Sequence, residues 1–139
     1  MARGFLAEAL PRRWRHTQGV YRAAEEVGAL MVEQSGPLRR AAILHDIGYV
    51  PAIAETGFHA LDGARYLRSV GVDPRVVNLV AHHSCALIEA EERGLAVALA
   101  EFPIDLCHLA DALIFCDLTV SPDGERVGVD ARIAEVLDR

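Results

Sequence analysis

Apolar positions recur at three- and four-residue spacing along nearly the whole chain, and the β-branched alternation that a half-buried strand needs is missing over more than a few residues. This pattern predicts an all-α fold. From His16 or Thr17 to Gln34, the residues Val20, Ala23, Ala24, Val27, Leu30 and Met31 share a helical face, closed by Ser35-Gly36-Pro37. A second helix runs from about Leu38 to Ile47, with Gly48 expected to take the left-handed conformation after its end. A third runs from Thr56 or Gly57 to Ser69 and stops at Gly71. Asp73-Pro74 then gives the N-cap and first-turn proline of a fourth, which reaches His82 or His83. Residues Ala86 to Ala100 read as a helix or a long excursion, and after Pro103 a strongly apolar helix extends from Ile104 to about Val120. Ser121-Pro122-Asp123-Gly124 is a turn, and Asp130 to Leu137 a short amphipathic helix. Without a repeat, a low-complexity tract or a linker, residues 1–139 are expected to form one domain.

Composition agrees with that expectation: 139 residues with 52% hydrophobic and 24% charged suit one globular core. A chain of this size buries roughly two-thirds of its unfolded surface, enough to fold without a disulfide framework. The net charge of -6, with no segment dense in cations, counts against a nucleic-acid partner. All 14 basic residues are arginine, so lysine chemistry is excluded and any cation in a site must be a guanidinium. No stretch of eighteen apolar residues exists and Met1 to Arg15 lacks a signal-peptide apolar region, which predicts a cytoplasmic protein without a membrane partner. Cys85, Cys107 and Cys116, with no CxxC pair, are expected to be reduced thiols buried as small hydrophobes.

The candidate chemistry lies in the histidines and aspartates: His16, the pair His45-Asp46, His59, the pair His82-His83, and Asp111 or Asp117. Each falls on a different predicted element. The helices ending at His45-Asp46 and holding Asp111 and Asp117 are otherwise almost wholly apolar, so these carboxylates must be buried or line a cleft. A buried carboxylate without a cation or strong hydrogen bonds costs several kcal/mol, which points to a metal site. His108 reads instead as a core histidine, and Glu25-Glu26 and Glu89 to Glu92 as solvated faces. Asp111 and Asp117 are six residues apart, about 240° around a helix, so they cannot serve the same ion from one face.

The ordered set H…HD…H…HH…D, with separations of 29, 14 and 23 residues from His16 to His45 to His59 to His82, resembles the HD superfamily of metal-dependent phosphohydrolases. The resemblance covers about residues 14–122. Arg15-His16-Thr17-Gln18-Gly19-Val20 is similar to that family's first-histidine helix, and Ala41-Ala42-Ile43-Leu44-His45-Asp46-Ile47-Gly48 to its name-giving motif. Phe58-His59-Ala60-Leu61-Asp62-Gly63-Ala64 resembles the His-x-x-x-Gly helix of members that bind two metals, and Val80-Ala81-His82-His83-Ser84 the next element. His82 and His83 remain alternatives, as do Asp111 and Asp117, with the turn after Thr119 favouring Asp117.

The resemblance implies a helical bundle with a dinuclear centre. His16, His45 and the last Asp would hold one ion, His59 and the His82-His83 pair the other, and Asp46 would bridge them as the catalytic carboxylate. Imidazole-rich ligation favours iron, manganese, zinc, cobalt or nickel over magnesium, with iron or manganese the first expectation. Many relatives carry a lysine shortly after the HD pair where this chain has Tyr49; Tyr49, Arg13 and Arg65 are the candidate contacts to a small phosphorylated substrate. The implied activity is hydrolysis of a phosphoester or phosphoanhydride, with nucleotides and dinucleotide polyphosphates as the substrate class. The alternatives are an HD-type mixed-valent di-iron oxygenase and a metal-binding module without turnover.

Overall fold

The computed structural model describes residues 1–104 and 108–138. The fold is all-α: among the described residues the elements are helices α1 (Ala2–Ala9), α2 (Pro11–Gly28), α3 (Ser35–Leu44), α4 (His59–Ser69), α5 (Pro74–Ala81), α6 (Ala86–Glu92), α7 (Ala96–Leu99), α8 (His108–Leu118) and α9 (Val129–Leu137), with 3-10 turns at Val32–Gln34 and Ile47–Tyr49. One isolated bridge, Val120 to Arg126, closes the turn after α8.

The centre of the fold is α2 against α3 and α8, with α3 also packed on α5 and α8. Small residues make this possible. Ala23, Ala24, Ala41 and Ala42 are all fully buried, so the facing backbones approach closely. A Cβ on Gly19 would sit 2.6 Å from the Gly124 carbonyl oxygen, so the turn after α8 lies directly on α2. Gly124, at φ +86°, closes that turn through its amide to Ser121 O (2.9 Å).

Several boundaries differ from the sequence pattern, each for a local reason. α2 begins at Pro11, whose missing N–H costs nothing in a first turn, so His16 lies inside the helix rather than at its start. It ends at Gly28, and Leu30, 87% exposed, belongs to no core face. Ser35-Gly36-Pro37, expected as a stop, is the first turn of α3, where proline is tolerated for the same reason. The expected Ala86–Ala100 segment breaks into α6 and α7 at Gly94 (φ +69°). Ile104 lies outside any helix and residues 105–107 outside the described residues, as does the expectation for Cys107. α1 has no counterpart in the sequence pattern, because its two inward residues, Ala2 and Leu6, are too few to set a period.

Gly48 is needed for a different reason than its expected left-handed conformation, since its φ is not positive. A Cβ there would lie 1.9 Å from His59 O and 2.7 Å from Gly63 N, so the backbone of the 3-10 turn rests on the first turn of α4. The loop before α4 is gathered by buried Asp62, which accepts from the amides of Glu55, Thr56 and Gly57 and from Thr56 Oγ1. Together these contacts set His59 across from His45 and Asp46.

Gly48→Ala is therefore expected to destabilise the fold by about 3 kcal/mol, because backbone and not a flexible side chain must move. Gly36→Ala, in helical backbone with open space around it, should stabilise by about 0.5 kcal/mol. Chemical denaturation of the two variants checks both signs.

Candidate metal centre

Six of the expected side chains converge. His16 comes from the middle of α2, His45 and Asp46 from the end of α3, His59 from the start of α4, His83 from just past α5, and Asp117 from the last turn of α8. His16 Nε2 lies 2.9 Å from Asp117 Oδ1, which is 3.8 Å from His45 Nε2. His45 Nε2 is 3.4 Å from Asp46 Oδ2, while Asp46 Oδ1 lies 3.9 Å from both His59 Nε2 and His83 Nε2. Those last two nitrogens are 3.1 Å apart. Among the described residues two groups are spaced to hold an ion, His16/His45/Asp117 and His45/Asp46/His83, and all five residues are buried.

Backbone carbonyls orient three of the imidazoles. His45 Nδ1 donates to Ala42 O (2.7 Å) and His83 Nδ1 to Val80 O (2.6 Å). Both carbonyls belong to the last turn of a helix, where no intrahelical N–H reaches them. His16 Nδ1 donates to Ser121 O (2.9 Å), which couples α2 to the turn after α8. With Nδ1 of His45 and His83 carrying the proton, their Nε2 lone pairs face the cluster, the arrangement that metal-ligating histidines use, while His16 turns its Nε2 to Asp117 Oδ1 and donates to it. His45 Nε2 is buried with no hydrogen-bond partner among the described residues. The donor set therefore fits divalent ions: imidazole nitrogens and carboxylate oxygens converge around an unsatisfied nitrogen.

The electrostatics follow from burial and neighbours. Burial raises the Asp46 pKa, but His45, Arg13 and His59 outweigh it and hold the group at about 2. Asp117 is also depressed: burial opposes ionisation, and the His16 hydrogen bond with the nearby His45 overcomes it. Burial, with His83 beside it, pushes His59 down to about 3. His83 moves the same way, through burial and then His45. His16 is pushed down by burial but lifted above its ordinary value by Asp117 and Asp46.

Arg13 stands over the cluster. Its Nη1 donates to Asp46 Oδ2 (2.8 Å) and its guanidinium lies 3.7 Å from the Tyr49 ring centroid. Tyr49 in turn stacks on His59, centroids 4.1 Å apart at 13°. The side chain of Arg13 is 33% exposed, so the stack reaches from solvent to the buried cluster.

The remaining expected residues lie elsewhere. His82 turns away and bonds Phe102 O through Nε2 (2.8 Å), because adjacent residues at a helix end diverge by roughly 100°. Asp111 is exposed, on the outer side of α8 from Asp117. Arg65 is bound to Glu101, which also pairs with Arg68, and makes no contact with the cluster. His108, expected in the core, is exposed at the start of α8. Cys85 is exposed, whereas Cys116 is buried and its thiol is pushed up to about 11 by that burial. The carbonyls that orient the histidines, and Ser84, whose hydroxyl donates to Asp117 Oδ2, have no signature of their own in the sequence. The available signal was the position of His45 and His83 one or two residues beyond a helix end.

Among the described residues no helix is long and apolar enough to cross a membrane. No curated protein and no solved structure matches the chain. The family model for the HD domain matches residues 13–139, which takes in every residue of the cluster. With the all-α fold and the histidine–aspartate cluster between its helices, this match identifies the chain as a member of the HD domain family.

Proposed function

We propose that the chain is a metal-dependent phosphohydrolase of small phosphoesters or phosphoanhydrides, with nucleotides and dinucleotide polyphosphates as the substrate class and two divalent ions, iron or manganese first, as cofactor. One observation carries this reading: His45 Nε2 is buried without a partner among the described residues, while His45 Nδ1 is committed to Ala42 O. Such a nitrogen, left bare among five other ligand-type side chains, costs free energy that coordination recovers. In this reading His16, His45 and Asp117 would hold one ion and His59 and His83 the other, with Asp46 as a ligand shared between them. Divalent ions held there would supply Lewis-acid stabilisation of the phosphoryl oxygens and a water of lowered pKa.

The chain's own residues do the rest. Asp46 and Asp117 stay ionised at neutral pH and His59 and His83 stay neutral, so their donor atoms need no deprotonation step. Arg13 keeps further N–H groups beyond the one on Asp46, and these can donate in paired fashion to two oxygens of a phosphate. Tyr49 fixes the plane of that guanidinium by stacking and buttresses His59 from its other face.

Elemental analysis of anaerobically purified protein should return about two equivalents of transition metal per chain. Phosphate release from nucleotides, dinucleotide polyphosphates or an aryl phosphate should then proceed without oxygen and with several divalent ions. Two irons with an oxygen requirement and no phosphate release would instead select the oxygenase. His45→Ala and Asp46→Ala should each lose metal and reduce phosphate release to background while the helical circular dichroism spectrum persists; full activity in both overturns the assignment.

Arg13→Gln should raise KM by about tenfold or more, the loss of one charge-assisted contact, with metal content unchanged. Arg65→Gln, whose partner is Glu101, should leave KM where it was. Steady-state kinetics on the two variants separates a substrate contact from a surface ion pair.

A further inference from the structure

The turn that carries His83 breaks a local rule. His83 O accepts the Ala86 amide (3.1 Å), and the two residues between, Ser84 and Cys85, sit at φ +50° and +57°. This is a turn with both central residues left-handed, a geometry that glycine, asparagine and aspartate fill at least cost. Serine and cysteine in succession are an unfavourable choice for it. Such strain persists where the surrounding structure uses it.

Ser84 has a use for its side chain and Cys85 does not. The Ser84 hydroxyl donates to Asp117 Oδ2, whereas Cys85 is exposed. Asp117 is thereby held at both oxygens: Oδ2 by Ser84, and Oδ1 by His16 at 2.9 Å, facing His45 Nε2 at 3.8 Å. Rotation of the carboxylate would break the Ser84 bond, so Oδ1 stays aimed at the nitrogen that has no partner. The same turn positions His83, so one strained segment places a ligand from α5 and fixes a ligand from α8.

We infer that Ser84 is a positioning residue for the metal centre, which holds Asp117 as a single-oxygen ligand, and that the left-handed backbone at residue 84 is kept for that hydroxyl. The inference rests on the metal reading of the cluster.

Mn2+ affinity and thermal stability of the full chain, measured side by side, test it. Ser84→Gly suits the backbone but removes the hydroxyl: Tm should hold or rise by about 3 °C, while Mn2+ affinity falls about 10–100-fold, the usual cost of losing a partner that orients a ligand. Cys85→Gly relaxes the same turn and keeps the hydroxyl, so its Tm should hold or rise with Mn2+ affinity unchanged. Ser84→Thr keeps the hydroxyl on a backbone it suits less well, and should lose Tm yet retain affinity. Wild-type affinity in Ser84→Gly overturns the role of Ser84 alone, as does affinity that tracks Tm across the three variants. Failure of the unsubstituted chain to bind Mn2+ overturns the metal reading and this inference with it.

Discussion

Two buried carboxylates, Asp46 and Asp117, constrain everything around them. Neither is more than 9% exposed, and leaving an unpaired charge at that depth costs several kcal/mol. The surroundings answer that cost from every direction. His16 hydrogen-bonds one oxygen of Asp117 and Ser84 the other, and Arg13 pairs with Asp46. His45 sits between the two carboxylates. Replacing the cluster with apolar residues would give a simpler core, so a polar cluster in an otherwise alanine- and leucine-rich bundle is the candidate working part on which the proposed function rests.

What turns this polar cluster into an aimed one is the use of helix ends. A histidine inside a helix finds the nearby carbonyls already taken by the backbone ladder, but one just past the end meets carbonyls that have no partner. His45 and His83 both occupy that position and both bond the carbonyl three residues back. The helix stop, the tautomer and the direction of Nε2 are thus one structural fact. Gly48 and Asp62 then bring the start of α4 against the same place: one allows the backbones to touch, the other gathers the loop that leads in.

The sequence carries much of this in readable form. Helical period, the punctuation at Gly71 and Asp73-Pro74, and the isolated acids within apolar helices follow from burial physics that acts along one element at a time. What could not be read depends on three dimensions. His82 and His83 are chemically alike, and only the angle at which α5 ends decides which meets Asp46. Asp111 and Asp117 share one helix, and the choice is made by which side of α8 faces α2 and α3. Gly48 carries a local signal that points to a helix cap, whereas its real constraint is a backbone eleven residues away in sequence. His108 read as core because its neighbours are apolar, yet it begins α8 on the outside.

The absence of lysine sharpens the electrostatic argument. A chain with a net charge of -6 repels polyanions at long range, so affinity for the proposed phosphorylated substrate would have to be created locally. Most arginines are already engaged near the surface: Arg12 and Arg15 with Asp123, Arg22 with Gly124 O, Arg65 and Arg68 with Glu101. Among the described residues, Arg13 is the arginine paired with the cluster, and a single guanidinium is too little charge for a polyphosphate. In the proposed reaction the two carboxylates would carry a charge of about -2 against roughly +4 from two divalent ions, which would leave the centre net positive. In that reading, positive charge that the net-acidic sequence lacks overall would be concentrated where phosphorus is to be attacked, and the buried acids that look like a cost to folding would be the means of holding it there.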